Sequence, residues 1–589
     1  MLDPSALWCP PAGLCGTLAA AVGASAAVMD PTPPPGPLGG FPLGRVLLTA
    51  GYAALLLVLC AFGAHRFLMV QLFLRHRRDR VRPDRRFKDD ELPTVTVQLP
   101  LFNEGPVAAR AIDAAARLEH PNLQIQVLDD SDDGSEAIGR ERAAHWRARG
   151  VDVVHLHRTD RSGYKAGALA AGLRSAKGEL VAIFDADFVP QPGFLGSVVQ
   201  HFTDPGIGMV QARWGHLNRD DSALTAAQAV LLDGHFVVEH TARNRSGVFM
   251  HFNGTAGVWR RTCIDEAGGW AHDTLTEDVD LSYRAQMKGW RFRFLPRVAC
   301  PAELPREMNA FKTQQHRWTK GSVQTAIKLL PRVFAADLEW RVKAEAAAHL
   351  LSPVTYLAVV GFTALCYPAV LANLRYTGDD SLWGLALGVL LLCLGTISAA
   401  TFYVVSQAAL GRSVWGTVAR VPFLMALGVG IAVSNAVAVV EALIGHRSGF
   451  VRTPKEGDRG PAAGAADAPG TPEAPEPPRS RVSLTKKLVI AAELGMGLLM
   501  LEAARRSLDA GATAVSLPFL LLFAAGYLYV GGWSLWGLVK PRRRGGGSGR
   551  IEEAPERPAG AATGLRGEEP AEPLAPAWAG AGASRDTGS

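Results

Sequence analysis

The chain has 589 residues, 20% of them charged and 48% hydrophobic, with a formal charge of +6 at pH 7. That charge is too small and too dispersed for a nucleic-acid partner, and long apolar runs on both sides of a polar centre exclude a string of similar soluble domains. The seven cysteines (Cys9, Cys15, Cys60, Cys263, Cys300, Cys366 and Cys393) are scattered without a Cys-x-x-Cys pair, which excludes a disulfide framework and a cysteine-based zinc site and suits a reducing compartment for the centre. The partner this composition favours is a lipid bilayer.

The small apolar stretch 12–28 has no basic segment before it and prolines after it, so it makes a poor signal peptide, and 1–44 is expected to be a disordered leader. A start at Met29 is equally compatible. The run 45–74 is apolar enough and long enough for one transmembrane helix. Arg75, Arg77, Arg78, Arg80, Arg82, Arg85, Arg86 and Lys88 follow at once, and such a density of positive charge marks the cytoplasmic side.

Over 93–341 the pattern changes to short apolar strands alternating with helical segments, as at 95–99, 123–128 and 180–184. This predicts an α/β domain on a mainly parallel sheet. Each of those strands ends in a polar cluster: Asn103 and Glu104, Asp129 and Asp130, Asp185 and Asp187. Ligands of open α/β sheets bind outside the carboxyl ends of the strands, so the three clusters point at one crevice. Interfacial helices are expected near the end of this domain.

The membrane returns at 346–445, where transmembrane or re-entrant helices are expected over 347–371, 382–408 and 421–444. The last of these carries Pro422, Asn435 and Glu441, which favours a partly interfacial or re-entrant path. Residues 446–487 are expected to be a cytoplasmic loop and disordered linker, 488–540 two further transmembrane helices, and 541–589 a disordered cytoplasmic tail.

Converging carboxylates are costly without a cation. Asp185 and Asp187, two apart and thus on one face of an extended chain, suit Mg²⁺ or Mn²⁺ holding a diphosphate, although a lone acidic pair is as readily a helix cap. Lys165, at the start of an Ala-rich helix after Gly163, favours an anion there, where a plain turn is the simpler reading. Thr276-Glu277-Asp278 opens a helix, and Asp278 is the candidate base for removing a proton from an attacking hydroxyl. Gln314-Gln315-His316-Arg317-Trp318 reads by itself as an interfacial helix with a Trp anchor; functionally, Arg317 suits a diphosphate, Gln314 a polar ligand, and Trp318 the flat face of a sugar.

Together these residues carry a resemblance. Asp130, Asp185-Ala186-Asp187, Thr276-Glu277-Asp278 and Gln314-x-x-Arg317-Trp318 match in order and spacing the D, DxD, TED and QxxRW pattern of the processive family 2 glycosyltransferases, the branch of cellulose, hyaluronan and mannan synthases. The stretches 126–131, 163–168, 184–188, 211–214 and 252–259 are similar to those of plant cellulose-synthase-like mannan and glucan synthases.

The resemblance implies a GT-A-type nucleotide-sugar-binding domain inserted between transmembrane helices. It implies an inverting enzyme of the multi-pass cell (inner) membrane that builds and translocates a β-1,4-mannan, glucomannan or glucan from UDP-glucose or GDP-mannose at a cytoplasmic site. Asp129, Asp130, Lys165, Asp185, Asp187, Gln314 and Arg317 are the donor-side candidates, Asp185 and Asp187 the Mg²⁺ or Mn²⁺ ligands, Asp278 the base, and Glu277 and Trp318 the acceptor side. The segment from Phe450 is similar to the gating loop of bacterial cellulose synthase, with only Phe450, Thr453 and Lys455 carrying over. The rival readings are a non-processive transferase adding one sugar to a lipid, and a transporter or scaffold with a degenerate domain.

Overall fold

The structure, a computed structural model, describes residues 42–79, 81–83, 85–374, 380–446, 483–509 and 517–539. The leader up to residue 41, the gating-like segment with Phe450, Thr453 and Lys455, the proline-rich linker and the tail lie outside the described residues. The chain divides into two compact units, Met1–Gly51 and Tyr52–Ser589. Of the first, only the opening turns of α1 (Pro42–His76) are described, and all that follows concerns the second.

After α1 the chain alternates as expected: β1 (Val95–Leu101), α2 (Gly105–Ala116), β2 (Leu123–Asp129), α3 (Ser135–Arg147), β3 (Val153–His157), α4 (Tyr164–Leu173) and β4 (Leu180–Ile183). Then come α5 (Phe194–Val199), β5 (Ile207–His216), α6 (Ala223–Asp233), a π-helical segment Gly234–His240, α7 (Thr241–Ser246), β6 (Gly257–Arg260), α8 (Arg261–Glu266), α9 (Glu277–Met287) and β7 (Arg291–Ala302). The seven strands form one sheet in the order β3-β2-β1-β4-β6-β5-β7. β1, β2, β3 and β4 pair in parallel, β6 runs antiparallel between β4 and β5, and β7 is parallel to β5.

The central strands are covered on both faces, which is why β1 and β2 are buried at nearly every position instead of alternating. One apolar cluster joins Val97, Leu99, Ile112, Phe184 and Phe194; another, holding Leu169, Val181, Trp259 and Phe292, lies with α4 and α8. Gln98 and Gln126 are held in this dry interior by hydrogen bonds: Gln98 Nε2 donates across the ladder to Gln126 Oε1 at 3.0 Å, and Gln126 Nε2 donates to the Gly172 carbonyl at 3.0 Å. Strand order reverses between β1 and β4, and that switch point opens a crevice at the carboxyl ends of the strands.

Past the sheet, α10 (Met308–Ala335) leads into α11 (Trp340–Leu351), α12 (Val354–Leu374), α13 (Asp380–Ala409), α14 (Val414–Gly430), α15 (Ala432–Leu443), α16 (Leu484–Asp509) and α17 (Leu517–Val539). Among the described residues two helices are able by length and composition to cross a membrane, Ala50–His76 and α17. Two bent pairs join them if each is one span: α11 with Val354–Pro368, at 55°, and α14 with α15, at 40°. The second bend falls inside 421–444, where a re-entrant or interfacial path was expected. The expected span 488–504 corresponds to α16, which is less apolar than these, with Glu493 and Glu502 inside it and Lys486, Lys487, Arg505 and Arg506 close to its ends.

Candidate active site

One cleft at the switch point collects the expected chemistry. Asp130, Lys165, Asp185, Asp187, Glu277, Asp278, Gln314, Arg317 and Trp318 all line it. Glu104, from the first of the three expected clusters, lines it as well, together with side chains to which the sequence reading gave no role, among them Arg161, Trp214, Asn253 and Glu303.

Asp129 is the exception, and corrects the expectation that it faces the donor. Successive residues of a strand point to opposite faces, so the two neighbours at the end of β2 cannot both reach the crevice. Asp129 is 1% exposed, and its carboxylate accepts from His155 Nε2 at 3.1 Å and from the Ser131 amide at 2.9 Å. Those bonds outweigh the burial that opposes ionisation and hold its carboxyl below the usual range. Asp130 turns into the cleft, where Arg158 grips it with two bonds of 2.8 and 2.6 Å. Arg158 thus fixes the carboxylate's rotamer in advance of any ligand.

Asp185 and Asp187 also depart in one respect: they lie beyond β4 in a turn closed by the Phe188 amide on the Asp185 carbonyl at 3.0 Å, not on an extended strand. Asp187 is buried and Asp185 half-open. The Asp185 amide donates to Thr255 Oγ1 at 2.9 Å, which ties this turn to the loop before β6.

Lys165 sits between the two acidic motifs. Its Nζ donates to Asp185 Oδ1 at 2.5 Å and to the Gly254 carbonyl at 2.9 Å, and lies 4.0 Å from Glu277. Burial opposes its charge, but Asp185, Glu277 and Asp278 outweigh that and raise it above the usual lysine value. Asp278 feels the reverse balance. Burial first, then the charge of Glu277, push its carboxyl up to about 7 against the pull of Lys165. Thr276, placed just before α9, does not cap the helix with its side chain; its hydroxyl meets Thr325 on α10 at 3.1 Å.

Strain gathers at the rim. Among the described residues three non-glycine positions have positive φ, Asn103 (55°), Tyr164 (49°) and Ala256 (54°), and they adjoin Glu104, Lys165 and Thr255. Gly254, at φ 80°, is required as glycine twice over: a Cβ there would stand 3.1 Å from Asp278 Oδ2 and 3.4 Å from Lys165 Nζ.

α10 forms the far wall. Arg317 feels the charges of Glu277, Asp185, Asp278 and Asp187, and Trp318 lies 6.3 Å from Trp214, ring centre to ring centre. Trp214 itself is held by Phe188 and Phe236 at 5.2 and 5.1 Å. Trp318 is therefore a wall of the cleft. Seven carboxylates against three cations line this space, and such an excess of hard oxygen suits a divalent cation.

A family model described as "Glycosyltransferase like family 2" matches residues 93–321. Those residues form a family 2 glycosyltransferase domain. Glucomannan 4-beta-mannosyltransferase 2 of Arabidopsis thaliana is 40% identical to this chain over 284 residues, 45% of the chain and 52% of that protein. Glucomannan 4-beta-mannosyltransferase 1 of Oryza sativa subsp. japonica is 41% identical over 273 residues, 43% of the chain and 52% of that protein. The chain thus spans about half the length of the curated relatives it matches. Among solved structures, a mannosyltransferase from Pyrobaculum calidifontis in complex with GDP-Man and Mn2+ aligns with 68% of this chain and 100% of its own, with a TM-score of 0.47 and 20% identity. The sheet of the glycosyltransferase domain is mainly parallel and mixed, as the GT-A expectation requires.

Proposed function

We propose that this chain is an inverting, metal-dependent transferase that extends a β-1,4-linked mannan or glucomannan from a nucleotide-sugar, GDP-mannose first and UDP-glucose as the alternative donor. The observation that carries it is Asp278: a half-buried carboxyl raised to about 7 that shares one cleft with the DxD turn and Trp318. The names of the two plant relatives support the choice of sugar.

In this reading the donor diphosphate lies between the DxD turn and Arg317, with Asp130 toward the nucleotide. Asp187 and Asp185 would hold Mg²⁺ or Mn²⁺, which would neutralise charge on the departing diphosphate. The acceptor hydroxyl oxygen attacks the anomeric carbon as its proton passes to Asp278. The bond from that carbon to the diphosphate oxygen breaks, and the nucleoside diphosphate leaves. One displacement inverts the anomeric centre, so an α-linked donor gives a β-linked product. Glu277 keeps Asp278 basic, and Lys165 holds Asp185 and the Gly254 carbonyl in place. The active site faces the cytoplasm in a multi-pass arrangement, by the positive charge that follows α1.

The test is purified protein in detergent with each labelled nucleotide-sugar and Mn²⁺. GDP-mannose should give long products that an endo-β-1,4-mannanase digests, and exhaustive chelation should stop synthesis until Mn²⁺ or Mg²⁺ is restored. Undiminished synthesis after chelation would sink the metal role, and a single sugar added to lipid would favour the non-processive rival.

A further inference from the structure

Behind the cleft wall lies a histidine cluster that the transferase chemistry does not use. His235 and His240 belong to the π-helical segment Gly234–His240, and His251 stands on the loop leading to Gly254. On an α-helix, residues five apart diverge by about 140°, whereas the wider π turn brings both rings to one side. Their ring centres are 4.5 Å apart, and His251 lies 5.4 Å from His235 and 5.0 Å from His240.

We infer that His235, His240 and His251 form a binding site for a transition-metal dication of the zinc class. One ligand atom from each lies within 4.8 Å of the others, against about 3.3 Å for the edge of a tetrahedral Zn²⁺–nitrogen set, so the rings close slightly on the ion. Three further observations converge. His235 Nδ1 is 2.8 Å from Glu239, the outer carboxylate contact that fixes a tautomer and leaves Nε2 bare for a metal. The Nε2 atoms of His235 and His251 converge on one point, now filled by Asn253 Nδ2 at 2.9 and 3.1 Å. His240 Nε2 meets Asn253 Oδ1 at 2.5 Å, while the buried Nδ1 atoms of His240 and His251 have no hydrogen-bond partner, so Asn253 touches all three rings and still leaves the cluster incompletely satisfied.

Burial, with neighbouring positive charge, keeps His240 and His251 far below the usual imidazole range, so both are neutral and offer lone pairs. Arg243, the nearest cation on α7, is paired with Glu239 at 3.3 Å and Glu345 at 2.9 Å. An ion displaces the Asn253 amide and takes its Oδ1 or a water as the fourth ligand. An all-imidazole set favours Zn²⁺, Co²⁺ or Ni²⁺ over the oxygen-seeking Mg²⁺ and Mn²⁺ of the donor site. The ion would pin the segment that carries the Gly254 carbonyl and the Thr255 hydroxyl, the two partners of Lys165 and Asp185.

The test is Co²⁺ titration of the full chain, stripped of metal in detergent, read by visible ligand-field absorption and by metal analysis. One equivalent with tetrahedral bands is expected in the wild type and in Asp187→Asn, which disables the donor-side set. The bands should vanish in His235→Gln and in His251→Gln, each shown to be folded by an unchanged thermal transition. Absence of bands in the folded wild type overturns the site, as do bands that survive both histidine substitutions or that disappear in Asp187→Asn. Because the readout is spectroscopic, it stands whether or not the chain transfers mannose.

Discussion

Burial and a neighbouring carboxylate give Asp278 the affinity of a base suited to neutral pH. A base acts deprotonated, so below pH 7 the carboxyl fills with a proton and activity falls. kcat/KM should rise about tenfold per pH unit on the acid side and level off above about pH 7. Asp278→Asn should lower turnover by about 10²-fold or more with donor binding nearly unchanged, as measured by nucleotide titration. Gly254→Ala forces a Cβ between Asp278 and Lys165 at a positive φ and should lose activity comparably while the chain still folds. The place of Asp130, Asp185, Asp187 and Asp278 in one cleft was legible because each acidic motif follows a strand or opens a helix. What escaped the sequence was direction and partnership: that Asp129 turns away from Asp130, that Arg158 grips the latter, and that Trp214, a residue of β5, meets Trp318 across the cleft. Only the folded sheet brings such distant residues together.

At the scale of elements, the site depends on how closely α10 approaches the start of α9. Gly321 is the point of contact: a Cβ there would fall 2.5 Å from Thr276 Cγ2 and 2.9 Å from its backbone nitrogen. Gly321→Ala should therefore destabilise by about 1–3 kcal/mol through overpacking and move Arg317 and Trp318 relative to Asp278. The expected readout is a lower thermal midpoint with a loss of kcat out of proportion to it; unchanged kinetics would mean the contact relaxes elsewhere. β4 was readable from a continuous apolar run, which is how doubly covered strands appear, and β1 and β2 from apolar residues alternating with Thr96, Gln98, Gln124 and Gln126, whose burial the sequence did not announce. The short antiparallel β6 and the π-helical segment were not. Four residues carry no period, and a π turn keeps the apolar composition of an ordinary helix while changing which residues share a face.

Across the whole molecule, α10 is the element that joins the two kinds of structure. One of its faces presents Gln314, Arg317 and Trp318 to the cleft, while Lys312 pairs with Glu493 of α16 at 2.7 Å and Lys320 with Glu441 of α15 at 2.8 Å. Removing one partner of a buried pair leaves a charge unmet, so Lys312→Met should cost about 3–5 kcal/mol, and adding Glu493→Met should recover much of it in a thermal-unfolding cycle. The sequence identified α10 as amphipathic but not what each face meets, since the partners lie more than a hundred residues further on.

Such anchoring bears on processivity. On the proposed function, a helix ion-paired to α15 and α16 would not drift as a polymer advances, and a sugar stacked on the indole of Trp318 would slide by one unit with little loss, whereas a hydrogen-bonded subsite would break its bonds at every step. Trp318→Ala should therefore shorten or abolish polymer while donor binding and slow donor hydrolysis persist. Trp214→Ala is the informative contrast. Its ring is packed between Phe188 and Phe236, so that change should cost about 3–5 kcal/mol of stability and impair every activity together. Product length at low enzyme and excess acceptor discriminates the outcomes. Long chains beside untouched acceptor mark a processive wild type, and short products from a stably folded Trp318→Ala place the indole on the polymer's path. A ladder that lengthens uniformly in the wild type would instead mean that the polymer leaves after each addition, and that α10 is held against the membrane helices for stability alone.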